Sequence, residues 1–217
     1  MKKVALVLSG CGHMDGAEIT ESVSLLIALN MYGAETHVFA PDMSIPTKDH
    51  RTGKVNENET RNVLTEAARI ARGKIEDVKK LSSKDYDALA FAGGYGAASN
   101  LSNWSEKGAH CEVYPDIARV IKEFHADNKP IAAVCIAPTL VAKVLGSEGV
   151  ELTIGDDKET AQEIEKTGAR HIECPVEDYI TDRRAKILTT PAYMYNTKPH
   201  LVFKGISAMV KELVEMA

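Results

Sequence analysis

Residues 130–138 read Pro130-Ile-Ala-Ala-Val-Cys135-Ile-Ala-Pro138. Pro130 to Val134 is a short apolar run without alternation, the pattern of a strand buried on both faces of a parallel sheet. The run delivers Cys135 directly into a segment whose residues Ala142 to Leu145 continue a helix. A nucleophile on such a strand-to-helix turn exposes its side chain above a helix N-terminus. The positive end of the helix dipole is expected to favour thiolate and lower the cysteine pKa. Ala132, Ala133 and Ala137 leave room around it, although the Gly-x-Ser-x-Gly elbow motif is absent.

The same grammar repeats on either side. Val4 to Leu8, Thr36 to Ala40, Asp87 to Phe91, Leu152 to Ile154 and Ala185 to Thr190 read as further strands. Helical spacing occupies Ile19 to Met31, Glu59 to Ala71, Pro115 to His125, Glu159 to Lys166 and Val202 to Met216. Residues 42–57 are polar and read as a loop or small excursion. Strands alternating with helices from end to end predict a doubly wound, mainly parallel α/β sheet. No repeat or linker interrupts the pattern, so residues 1–217 are expected to form one domain.

Composition bounds the function. The chain is 44% hydrophobic and 26% charged, with a net charge of −5. It has no basic stripe of the kind that neutralises phosphates, so nucleic acid is not an expected partner. No stretch approaches the ~20 apolar residues that span a bilayer, so no membrane partner is expected either. The short apolar run near the N-terminus fits a first strand better than a signal peptide, and points to a cytoplasmic protein, or an organellar matrix protein if the chain is processed. The four cysteines, Cys11, Cys111, Cys135 and Cys174, are too far apart for a zinc motif. Neither a metal nor a cofactor is expected.

Ligands of open α/β sheets sit beyond the C-terminal ends of the strands. Besides Cys135, three segments fall there. In Phe91-Ala92-Gly93-Gly94-Tyr95-Gly96, the glycines let the backbone approach a ligand. The N–H groups of Gly94 and Ile136 would make an oxyanion-holding pair. Gly10-Cys11-Gly12-His13-Met14-Asp15-Gly16 opens the first helix, where Glu18 and Glu21 lie three apart and share a face. Its glycines do not match the dinucleotide fingerprint. A carboxylate there either complements the helix dipole or reaches Cys135. The segment Thr189-Thr190-Pro191-Ala192-Tyr193 offers hydroxyls but no acid or base. None of the seven histidines directly follows Cys135, and His171 is expected to be structural.

Taken together, VALVLSGCG, DG-x-EI, TETRNVLTEAARI, DALAFAGGYGAASNLSN, IAAVCIAP and TTPAYM resemble the ThiJ/PfpI superfamily, which is related to class I glutamine amidotransferases. More closely they resemble its ElbB-type branch, described as glyoxalases and labelled as enhancing lycopene biosynthesis. The resemblance implies a flavodoxin-like, class I glutamine amidotransferase-like fold. It places the elbow nucleophile on Cys135, its helix-borne carboxylic partner on Glu21 and the oxyanion amides on Gly94 and Ile136. Glu18, Cys11 and Gly93 become possible neighbours of the site. It also implies a homodimer, and a link to isoprenoid biosynthesis by family label. Protease-like members carry a histidine after the cysteine, where this chain has Ile136, and no late amidotransferase His–Glu pair is evident. The expected activity is therefore a cofactor-free glyoxalase acting on a small aldehyde, with Glu21 as proton shuttle. The alternatives are a redox-sensing or stress-response protein using an oxidisable Cys135, and a glutaminase-type subunit.

Overall fold

The computed structural model describes residues 1–217. Eleven strands and eight α-helices follow in chain order: β1 (Lys3–Val7), α1 (Ile19–Met31), β2 (Glu35–Ala40), β3 (Ser44–Lys48), β4 (Val55–Asn62), α2 (Val63–Ile70), β5 (Ile75–Asp77), β6 (Ala88–Phe91), α3 (Tyr95–Ser99), α4 (Trp104–Lys107), α5 (Pro115–Ala126), β7 (Ile131–Val134), α6 (Pro138–Leu145), β8 (Glu151–Leu152), α7 (Lys158–Lys166), β9 (Arg170–His171), β10 (Ile180–Asp182), β11 (Ile187–Thr190) and α8 (Pro199–Met216). Seven strands form the central sheet in the order β10-β11-β7-β6-β1-β2-β5. All pairings are parallel except the edge pair β10–β11.

The unbroken apolar runs are explained by burial on both faces. Along β1, Val4 and Leu6 pack with α1, α2 and α8, through residues such as Leu25, Val63 and Ile206. Ala5 and Val7 point the other way, into a core shared with Ile121 of α5, Leu140 of α6 and Ile164 of α7. Because successive side chains of a strand face opposite sides, only an all-apolar strand satisfies both layers. Helix starts follow capping rules: Asn62 and Asp157 accept N–H groups at the starts of α2 and α7, and Pro115 and Pro199 sit in the first turns of α5 and α8.

Residues 42–57 depart from the expected loop. Ser44–Lys48 and Val55–Asn62 pair as an antiparallel hairpin, and α2 begins at Val63 instead of Glu59. Strand β4, VNENETRN, carries no apolar alternation because it is exposed along most of its length. Backbone pairing and a turn closed by Gly53 N–H to Asp49 O at 2.7 Å hold it instead. The short strands β5 and β10 gave no periodicity either. The run Leu152 to Ile154 contributes only Leu152, in β8, which pairs with β9 outside the main sheet.

Candidate active site

Three strand ends build the site. After β7 the backbone turns sharply at Cys135, whose φ of 61° is a left-handed conformation rare for a residue with a side chain. The Cys135 N–H donates to Thr190 O at 2.9 Å, which ties the elbow to the end of β11. Strain of this kind persists only where surrounding structure fixes it. Here it turns the Cys135 side chain into a cleft of about 1220 Å³, which His13, Glu18, Gly94, Ile136 and Tyr193 also line.

After β6, Gly93 and Gly94 are required by close packing. A Cβ on Gly93 would lie 2.4 Å from both Cys135 Cβ and Glu21 Oε2. Gly94, at φ 95°, passes so near the loop after β1 that a Cβ would meet Glu18 N and Gly16 O at 2.4 Å. The Gly94 and Ile136 N–H groups point at the Cys135 sulfur, where they favour its charged form.

Glu21 comes from the first turn of α1 and is fully buried. Its Oε1 accepts the Tyr193 N–H at 3.1 Å. Its Oε2 makes no hydrogen bond of regular geometry, and the proton-bearing groups near the carboxyl, besides the Tyr193 N–H, are the Cys135 thiol and the Gly93 N–H. Burial, then the nearby Glu18 carboxylate, push Glu21 up from 4.5 to about 8, against the opposing pull of the Tyr193 N–H and the thiol. Cys135 is 7% exposed. Burial and Glu21 raise its pKa well above the ordinary thiol value, and the two backbone amides offset only part of that. The expected lowering by a helix dipole is thus overturned: desolvation beside a carboxyl group outweighs a helix end that starts three residues later. At neutral pH the resting pair is a thiol beside a largely protonated carboxyl.

The remaining sequence candidates divide. Glu18 lines the cleft, yet its Oε2 caps α1 by accepting the Glu21 N–H at 2.7 Å. Gly93 touches both members of the pair. Cys11, expected as a possible neighbour, lies elsewhere: it lines a separate small cavity with Asp15, Arg61 and Glu66. His171 accepts the Ile154 N–H at 3.3 Å beside β8, a structural role, and burial lowers its pKa. The Thr189 and Thr190 hydroxyls are occupied by Thr153 N–H and Asp178 O. Sequence reasoning missed the Tyr193 amide, a backbone contact that no side-chain pattern announces. It also missed His13, which lines the cleft with its ring against that of His50 in the hairpin turn. No histidine is hydrogen-bonded to Cys135, and no group of three or more His, Cys, Asp or Glu side chains is arranged to hold a metal ion.

A parallel α/β sheet with a strained cysteine elbow, a buried glutamate and a paired-amide turn defines the amidotransferase-like class. The DJ-1/PfpI family model matches residues 2–192, and the chain belongs to that family. It is 47% identical over 224 residues to human "glutamine amidotransferase-like class 1 domain-containing protein 3, mitochondrial", covering 99% of this chain and 83% of that one. It is 46% identical to the rat "ES1 protein homolog, mitochondrial", covering 99% of this chain and 84% of the other. Among solved structures, an isoprenoid biosynthesis protein with amidotransferase-like domain from Ehrlichia chaffeensis superposes with a TM-score of 0.92 at 34% identity, over 99% of this chain and all of that one. A DJ-1 superfamily protein from Agrobacterium tumefaciens, at 16% identity and TM-score 0.60, covering all of this chain and 92% of that one, shares the fold. No helix is long and apolar enough to cross a membrane.

Proposed function

We propose that the protein is a cofactor-free glyoxalase that converts glyoxal or methylglyoxal to glycolate or lactate. The observation that carries this reading is the buried Glu21 carboxyl, raised to about 8 and set beside the Cys135 thiol at the floor of an open cleft. A carboxyl with near-neutral proton affinity both takes and returns protons at working pH.

Glu21 in its ionised fraction takes the thiol proton as sulfur attacks the aldehyde carbon, then returns it to the carbonyl oxygen, giving a hemithioacetal. The Gly94 and Ile136 N–H groups steady the oxyanion. Glu21 next removes the C1 proton and delivers one to C2. C1 is oxidised and C2 reduced within one molecule, so no external redox partner is needed. The result is a thioester on Cys135, and water releases the hydroxy acid.

The redox-sensing alternative drew on an exposed, low-pKa thiol, and the buried, raised Cys135 gives it less support. Glutaminase chemistry requires a histidine bonded to the nucleophile, and Cys135 has Glu21 instead. The mitochondrial naming of the rat and human relatives supports the organellar side of the expected location. The test is glutathione-free product formation from methylglyoxal. Cys135→Ala is expected to abolish it while retaining the fold, and full activity in that variant contradicts the reading.

A further inference from the structure

In the proposed reaction Glu21 handles protons at the buried side of the Cys135 sulfur. Glu21 is fully buried beside the Cys135 thiol, whereas a water attacking a Cys135 thioester arrives from the open side of the cleft. His13 is the one histidine lining that side. Imidazole is the side chain whose ordinary proton affinity suits water activation near neutral pH. The carboxylates lining the cleft are Glu18, Glu106, Asp157, Glu159 and Glu163, and three of the five are engaged. Glu18 caps α1, Asp157 caps α7, and Glu163 accepts the Ala109 N–H.

His13 is held by more than its own loop. Its carbonyl accepts the Tyr95 N–H at 2.8 Å, and the loop closes through Gly12 N–H to Ala17 O and Gly16 N–H to Gly12 O. Its ring meets the His50 ring edge-on, centroids 5.2 Å apart at 82°. His50 stands in the turn of the β3–β4 hairpin. Its Nδ1 donates to Lys48 O at 3.1 Å, and its Nε2 accepts the Met14 N–H at 3.3 Å. The ring packs so tightly on Gly12 that a Cβ there would lie 2.5 Å from His50 Nε2. Asp15 completes the brace by accepting the Lys48 N–H at 2.7 Å. The polar hairpin therefore locks the loop that presents His13 to the cleft.

Building on the glyoxalase reading, we propose that His13 is the base that activates water against the Cys135 thioester, and that His50 is the positioning residue that holds its ring. His13 takes a proton as the water oxygen bonds to the acyl carbon. The C–S bond then breaks, and sulfur leaves as a thiolate steadied by the Gly94 and Ile136 amides. It recovers the proton from the imidazolium, and the free acid ionises to solvent. Around His13 the titratable groups are His50 and Asp15 in the brace, Lys48 and Tyr95 beside it, and Glu18 and Cys135 in the cleft.

The test is rapid-quench mass analysis of the protein with glyoxal, alongside steady-state turnover as a function of pH. His13→Gln is expected to form the Cys135 acyl adduct at the wild-type rate but to accumulate it. Turnover should fall by ~10²-fold or more, the acidic limb of the pH profile should disappear, and added imidazole should restore part of the rate. His50→Ala should lower turnover while keeping that limb. Wild-type turnover and pH profile in His13→Gln would overturn the assignment while leaving the glyoxalase reading intact. A wild-type protein that forms no acyl-Cys135 overturns both.

Discussion

Replacing Glu21 with Gln gives the sharpest physical consequence of the buried pair. Gln keeps an oxygen for the Tyr193 N–H and nearly the same volume, but it cannot ionise. In the wild type, the folded carboxyl titrates at about 8 instead of 4.5, because burial penalises its charge. The sign follows from proton binding: between those values the native state holds a proton that the unfolded chain has lost, so stability falls as pH rises through the window. At about 1.4 kcal/mol per tenfold in proton affinity, the loss between about pH 5 and about pH 8 is about 3 kcal/mol. Chemical denaturation of wild type and Glu21→Gln across this range reads it directly. The difference between the two proteins should change by about that amount, in favour of Gln at the alkaline end. Parallel stability curves would refute the claim that Glu21 is a neutral carboxyl in the resting site.

Three further outcomes follow from the same geometry. In Glu21→Gln the Cys135 thiol loses the carboxylate that disfavours its ionisation, so its alkylation by iodoacetamide should shift to lower pH; an unchanged profile would show that burial alone sets its pKa. Gly94→Ala forces a side chain onto a backbone at φ 95° against Glu18 N and Gly16 O. A non-glycine residue in such a region costs on the order of 1–3 kcal/mol, measurable as a lower denaturation midpoint, together with loss of turnover. The cleft is lined by Glu18, Glu106, Asp157, Glu159 and Glu163 and by no lysine or arginine. A unit charge repelled at 4 Å in water costs ~1 kcal/mol, so anionic glyoxylate should compete with methylglyoxal ~5-fold or more weakly than neutral aldehydes do, and added salt should narrow the gap.

The parts of this arrangement legible in the sequence are those that leave a local signature. The doubly buried strands β1, β6, β7 and β11 appear as apolar runs, and Cys135 and Gly94 lie just beyond two of them. The span of α1 matched its periodicity residue for residue. The hairpin was invisible because β4 is polar and exposed, held by backbone bonds that residue patterns do not encode. The thiol's titration was misjudged for a related reason. A helix start can be read from order along the chain, but the complete burial of Glu21 depends on α1, β6 and β11 converging. The distant pairing of His13 with His50 arises in the same way, from a hairpin folded back over the loop after β1.

The proposed glyoxalase chemistry requires Cys135 to carry the substrate carbon. Rapid quenching of the protein with methylglyoxal, without glutathione, followed by peptide mapping, reads that bond. A lactoyl thioester confined to Cys135 is expected, formed and discharged at rates compatible with turnover and absent in Cys135→Ala. Lactate production that continues at the wild-type rate with no acyl group on Cys135 would contradict it.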